Sequence, residues 1–228
     1  FLLFPLTAAF SLQSTDSLEL AFKNANSDSS RIRILNELIF AYGQQNPQKS
    51  IEISKQIIPL LSIHGTSLDW ALYYNGIGIA YNLKGDYLRA IDMFLKSLDL
   101  FQSTEDTIQT PRVLNNIGII FDEIKDYKRA KEYYSRGLEM YRRKEDVNAI
   151  AVITNNLGAV YEDLGELDSA LIFYHESLAI ALNHHLKNRE ADENLNIGSI
   201  HVKRGEYQKA LDYLLKAYEL DLRNNNES

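Results

Sequence analysis

The polar residues that recur with a regular spacing are asparagines. One set is Asn36, Asn75, Asn115 and Asn155, with Leu195 at the next step; the adjoining set is Asn116, Asn156 and Asn196, with Gly76 in the corresponding place. Asparagine is a poor residue in the middle of a helix, because its short amide competes for backbone hydrogen bonds. Its repeated use therefore needs a reason. A primary amide both donates and accepts, so a ladder of amides can hold an extended peptide backbone whatever its side chains. The same amides can instead bond to neighbouring helices and hold them in register. Both readings stand at the level of sequence.

Other reactive residue types point away from catalysis. His184 and His185 are adjacent, and neighbours on a helix point about 100° apart, so they do not form the i,i+4 pair that chelates a metal. They read as a solvated connection. His201 stands in a column that is otherwise aromatic and reads as a packed ring. There is no phosphate-cradling glycine loop, no H-E-x-x-H and no G-x-S-x-G. Carboxylates are plentiful, but on amphipathic helices most form the wet face. The expectation is a non-catalytic chain without metal or cofactor.

The elements that must position the asparagines come from an internal repeat. A step of forty residues aligns Gly78, Gly118, Gly158 and Gly198, each preceded by Ile77, Ile117, Leu157 or Ile197. The same step aligns Tyr81, Phe121, Tyr161 and His201, then Ala90, Ala130, Ala170 and Ala210, then Phe94, Tyr134, Tyr174 and Leu214. Spacings of i, i+4 and i+8 are helical. Lys84-Gly85-Asp86-Tyr87 and its equivalents supply a turn. Each unit is thus a helix A, a turn and a helix B that cannot bury its apolar face alone. Glycine inside helix A costs about 1 kcal/mol against alanine. Close approach of helix B, permitted by the missing Cβ, accounts for it.

These columns resemble the tetratricopeptide repeat, over roughly residues 30–222. The resemblance implies an all-α fold, a right-handed α-solenoid of stacked helix-turn-helix repeats. The usual period is about 34 residues, so the extra residues are expected to lengthen the helices and the B-to-A connection. The usual tryptophan position holds Tyr74, Leu114, Thr154 and Asn194, which puts packing there in question in the last two repeats. Five repeats are expected, over 30–64 (degenerate), 68–101, 110–142, 147–181 and 188–222. Pro59 should kink or shorten the first helix B, and Pro111 suits a first helical position after Thr110. Residues 14–29 read as a short helix and linker, and 223–228 as a polar tail.

In arrays of this family, the stripe that carries the asparagines lines a concave groove. The resemblance therefore implies a groove built from Asn75, Ile79, Asn82, Asn115, Asn116, Ile119, Asp122, Glu123, Asn155, Asn156, Glu162, Asp163, Asn196 and Lys203. Its expected occupant is a peptide or protein segment. Asp122, Glu123, Glu162 and Asp163 lie in the same two columns of adjoining repeats and favour a basic one. Arg112 and Lys203 offset part of that field.

A net charge of −7 and a pI near 5.3 argue against nucleic acid, which needs a basic stripe. Without cysteine there is neither a disulfide framework nor a thiolate metal site. No run approaches the ~18 apolar residues of a membrane span, so any membrane anchoring is expected only through sequence beyond Ser228. Phe1–Phe10 reads as the end of a signal h-region, within a remnant over 1–13, or else as an apolar cap helix. Tyr213, Leu214 and Tyr218 in the last helix B are ordinary interior types, which suggests a fragment of a longer chain. The whole resembles the extracytoplasmic sensor region of bacterial repeat-containing signalling proteins. Their output is a histidine kinase, a nucleotide cyclase or a DNA-binding regulator. A self-associating scaffold and a cytoplasmic peptide receptor are the alternatives.

Overall fold

The computed structural model describes residues 14–226, and every regular element among them is an α-helix. The signal-remnant expectation for Phe1–Phe10 lies outside the described residues. The described chain divides into two compact units, one ending at Ile124 and one beginning at Lys125. The N-terminal unit holds α1 (Thr15–Lys23), α2 (Asp28–Gln45), α3 (Pro47–His64), α4 (Ser67–Leu83), α5 (Tyr87–Ser103) and α6 (Gln109–Glu123). The C-terminal unit holds α7 (Tyr127–Lys144), α8 (Val147–Asp163), α9 (Leu167–Asn183), α10 (Lys187–Lys203) and α11 (Tyr207–Asn226). Within each unit, successive helices pack as neighbours, and α2 also packs on α4.

Local chemistry sets the helix ends. Asp86, Asp126 and Asp146 each accept a bond from a backbone N–H three residues on, which satisfies a donor the first turn leaves open. Thr66 and Asp69 form a reciprocal capping box at the start of α4. The A-to-B turns close through a left-handed residue, Gly85 at φ +73, Gly165 at φ +76 and Gly205 at φ +73. The following N–H then reaches back to the helix, as Asp86 does to the Tyr81 carbonyl at 2.9 Å. Lys125 occupies the same place at φ +62 with a side chain. Lys125→Gly is accordingly expected to raise the unfolding free energy by about 1 kcal/mol, read by urea denaturation.

Several expectations need correction. In the C-terminal unit the extra residues of the long repeat lie in the helices, α8, α9 and α10 having 17 residues each, whereas residues 104–108 form a longer B-to-A connection between α5 and α6. The B-to-A connection His184-His185-Leu186 is no longer than the A-to-B turn Leu164-Gly165-Glu166. α3 runs unbroken through Pro59 to His64. Pro59 and Lys55, whose carbonyl the ring frees, both lie on the exposed side, so water can take the lost bond. The first helix A begins at Asp28, capped by Ser27, rather than near Arg31. α6 starts at Gln109, two residues ahead of Pro111, because the Asp106 carboxylate accepts the Ile108 and Gln109 N–H groups at 2.8 Å.

Packing follows the aligned columns. Ala90, Ala130 and Ala170 are fully buried, and so are Phe94, Tyr134 and, nearly, Tyr174. A Cβ built on Gly78 would lie 2.8 Å from the Phe94 ring, and one on Gly158 would lie 2.7 Å from the Tyr174 ring. Thr154 and Asn194, at the usual tryptophan position, are both buried. Each bonds back to its own helix, Thr154 to the Ile150 carbonyl at 2.6 Å and Asn194 to the Glu190 carbonyl at 2.6 Å. His201 packs as the column implied, stacked on Tyr213 with ring centroids 5.5 Å apart. Tyr218 departs from its column. Leu98, Leu138 and Leu178 are buried, whereas Tyr218 is 62% exposed.

Candidate ligand face on the A helices

Two members of the first asparagine column, Asn36 and Asn155, each tie one A helix to the next within their own unit. The Asn36 amide donates to the Asp69 carbonyl of α4 at 3.1 Å. The Asn155 amide donates to both Glu193 oxygens of α10, at 2.9 and 3.1 Å. These two amides therefore do structural work between helices. Asn155→Ala is expected to cost about 1–3 kcal/mol, because it leaves a buried carboxylate short of a donor; thermal and urea unfolding both report it.

Glu193 is fully buried in a column otherwise filled by Tyr73, Val113 and Ile153. Ser177 of α9 donates to it at 2.6 Å, while also lying 2.9 Å from the Ala151 carbonyl. Burial pushes the Glu193 carboxyl above the usual carboxylate range, and the bonds from Ser177 and Asn155 pull the other way.

In the N-terminal unit the expected groove residues divide into two groups. Asn75, Ile79, Asn115, Asn116, Ile119 and Asp122 are all buried. Asn82 is half-buried and Glu123 is exposed. Ile79 lies close to Gly43 of α2, so it packs between A helices. Asn116 stands apart: it is 1% exposed, yet neither its carbonyl oxygen nor its amide nitrogen has a partner. On the same face of α6, one and two turns earlier, Arg112 Nη1 and Gln109 Oε1 are also buried without partners. On α4 the same holds for Asn75 Oδ1 and Asn82 Oδ1. α4 packs on α6. Buried polar atoms left unpaired cost about 1–3 kcal/mol each, so a concentration of them asks for a partner. Gln109 was not singled out by the repeat columns. It is found by counting back seven residues, two helical turns, from Asn116.

In the C-terminal unit, Asn156 is buried and Asn155 and Asn196 are half-buried. Glu162 accepts a bond from the Tyr174 hydroxyl at 2.7 Å and pairs with Lys203 at 2.8 Å. Asp163 and Lys203 are exposed. Of the two acidic residues in this unit, Glu162 is thus already engaged. The Tyr174 hydroxyl is pushed far above its ordinary range by burial and by its bond to Glu162.

The tetratricopeptide repeat pattern matches residues 70–143 and 149–223, and the chain belongs to that family. Its repeats are protein-interaction modules. No curated protein matches the chain in sequence. Among solved structures, BtubC (BKLC) from P. vanneervenii is similar at 18% identity and a TM-score of 0.80, over 92% of this chain and 91% of that one. A signal transduction ATPase (STAND) protein with a tetratricopeptide repeat sensor, from Pyrococcus horikoshii, is 17% identical with a TM-score of 0.78. That match covers 90% of this chain and 32% of the other. A Rap protein complexed with Competence and Sporulation Factor is 17% identical with a TM-score of 0.69, over 90% and 58%. At these identities the likeness establishes the fold, an all-α array of helix-turn-helix repeats. Among the described residues no helix is long and apolar enough to cross a membrane.

Proposed function

We propose that this chain is a peptide- or protein-binding module whose ligand lies along the A helices of the N-terminal unit. The observation that carries this reading is Asn116, a buried amide with both ends free beside the unpaired Arg112 and Gln109 atoms. An extended peptide brings one N–H and one C=O per residue, which is what such an amide lacks. Asn36 and Asn155 hold neighbouring A helices in register, and Asn116 with Arg112 meets the ligand. A preference for a basic segment draws, in this unit, on Asp122 and Glu123. It is weakened by Arg112 on the same helix.

The tetratricopeptide repeat sensor of the STAND signal transduction ATPase supports a wider role, as the sensing part of a signalling protein. Extracytoplasmic placement rests on Phe1–Phe10 and is tested by N-terminal sequencing of protein from its own host.

The experiment is a fluorescence-polarisation panel of acidic, neutral and basic peptides against wild type and Asn116→Ala. The variant is expected to bind about tenfold more weakly with an unchanged or slightly higher melting temperature, since alanine is the better helix former. Equal affinity in the variant, or a marked loss of stability, would show that Asn116 serves the fold instead.

A further inference from the structure

α7 carries a charge unlike that of the other B helices. Its sequence has Lys128, Arg129, Lys131, Arg136, Arg142, Arg143 and Lys144 against Glu132 and Glu139, a net of +5. The whole chain stands at −7, so the rest of it carries −12. The B helices α5 and α11 balance their Lys/Arg and Asp/Glu, and α9 is net negative. The buried side of α7 is Ala130, Tyr134, Leu138 and Tyr141; around the rest of the helix six of the seven basic residues are exposed and Lys131 is half-buried. Lys128, Arg136 and Lys144 form no ion pair among the described residues.

Along α7 lies an open cleft of about 510 Å³, with Leu138, Leu157 and Phe173 as its apolar lining and Ser135, Glu139, Arg142 and Arg143 as its polar lining. Its aromatic wall continues from Phe173 to Tyr161, stacked at 5.2 Å, over which the Lys131 ammonium sits 4.5 Å from the ring centroid. Arg142 is paired with Glu176 and Arg143 with Glu139, both at 2.5 Å and both solvent-exposed. Exposed pairs of this kind are worth about 0–1 kcal/mol, so an incoming carboxylate can replace either glutamate at little cost.

We propose that the cleft between α7 and α9 is a second docking site, for an acidic segment of a partner protein that carries one aromatic or aliphatic anchor. The apolar lining takes the anchor, and Arg142, Arg143 and Lys131 meet carboxylates on either side of it. A short acidic segment fits better than a nucleic acid, because the strongly negative remainder of the chain repels a long polyanion while local contacts select a short one. This site uses B-helix residues and is independent of the asparagine face.

The test uses a labelled peptide of roughly ten residues, aspartate and glutamate around one central phenylalanine. Polarisation is measured against wild type, Arg142→Glu/Arg143→Glu and Ser135→Trp, which fills the cleft. Binding is expected for wild type, weakening by about tenfold or more when salt rises from about 0.05 to 0.3 M. Loss is expected in both α7 variants, with melting temperatures and helical circular dichroism confirming that they fold. Lys131→Glu repeats the measurement if either fails to fold. Equal binding of the lysine counterpart peptide, undiminished binding by the α7 variants, or tighter binding of a DNA duplex or an anionic phosphatidylserine vesicle would overturn the proposal.

Discussion

Gly158→Leu is expected to lower the unfolding free energy by about 3 kcal/mol, the upper end of what overpacking costs. The first added carbon already lies 2.7 Å from two atoms of the Tyr174 ring. That ring is 2% exposed, and its hydroxyl is tied to Glu162, so it has nowhere to swing. Gly158→Ala makes the sharper comparison. Helix propensity alone predicts a gain of about 1 kcal/mol, whereas the overlap predicts a loss. Urea unfolding of both variants decides between them: a stabilised alanine variant would mean that the two helices can separate without cost.

Glu193→Gln is expected to stabilise the protein at neutral and alkaline pH by about 1–3 kcal/mol, because it removes a buried charge while keeping an acceptor for Asn155 and Ser177. The pH dependence fixes the sign. The Glu193 carboxyl is raised in the folded state, chiefly by burial, so the folded chain holds that proton more tightly than the unfolded one. Its contribution is most favourable below the ordinary carboxylate range and is lost as pH rises through the folded value. Wild type should therefore lose stability over that window relative to the glutamine variant, whose profile lacks this component. Melting temperatures from pH 4 to 8 on both proteins report the difference. Parallel profiles would mean that Glu193 titrates as an ordinary surface carboxyl.

Much of the fold is legible in the chain because its cause is local or periodic. The forty-residue step places Gly78 and Gly158 against Phe94 and Tyr174, and the structure finds those contacts. The turn signal at Gly85, Gly165 and Gly205 is likewise confirmed, since a left-handed backbone selects glycine whatever surrounds it. Pro59 does not shorten α3, because its cost depends on whether the freed carbonyl is wet, which only the packed helix decides.

The candidate site was legible only in part. The sequence by itself determined the class of fold and the two asparagine columns. Tertiary structure decided which individual asparagines find a partner on another helix. Asn155 finds Glu193, 38 residues away, and is committed to register, whereas Asn116 is buried with both ends unpaired. In the sequence Glu193 reads as one more carboxylate of a wet helix face. Its burial is set by the helices packed around it, and it is burial that turns its charge from neutral to costly. The basic face of α7 can be counted in the sequence, but the apolar cleft beside it exists only where α7, α8 and α9 pack together. Periodicity specifies what each helix presents, and long-range packing determines what each presented group meets.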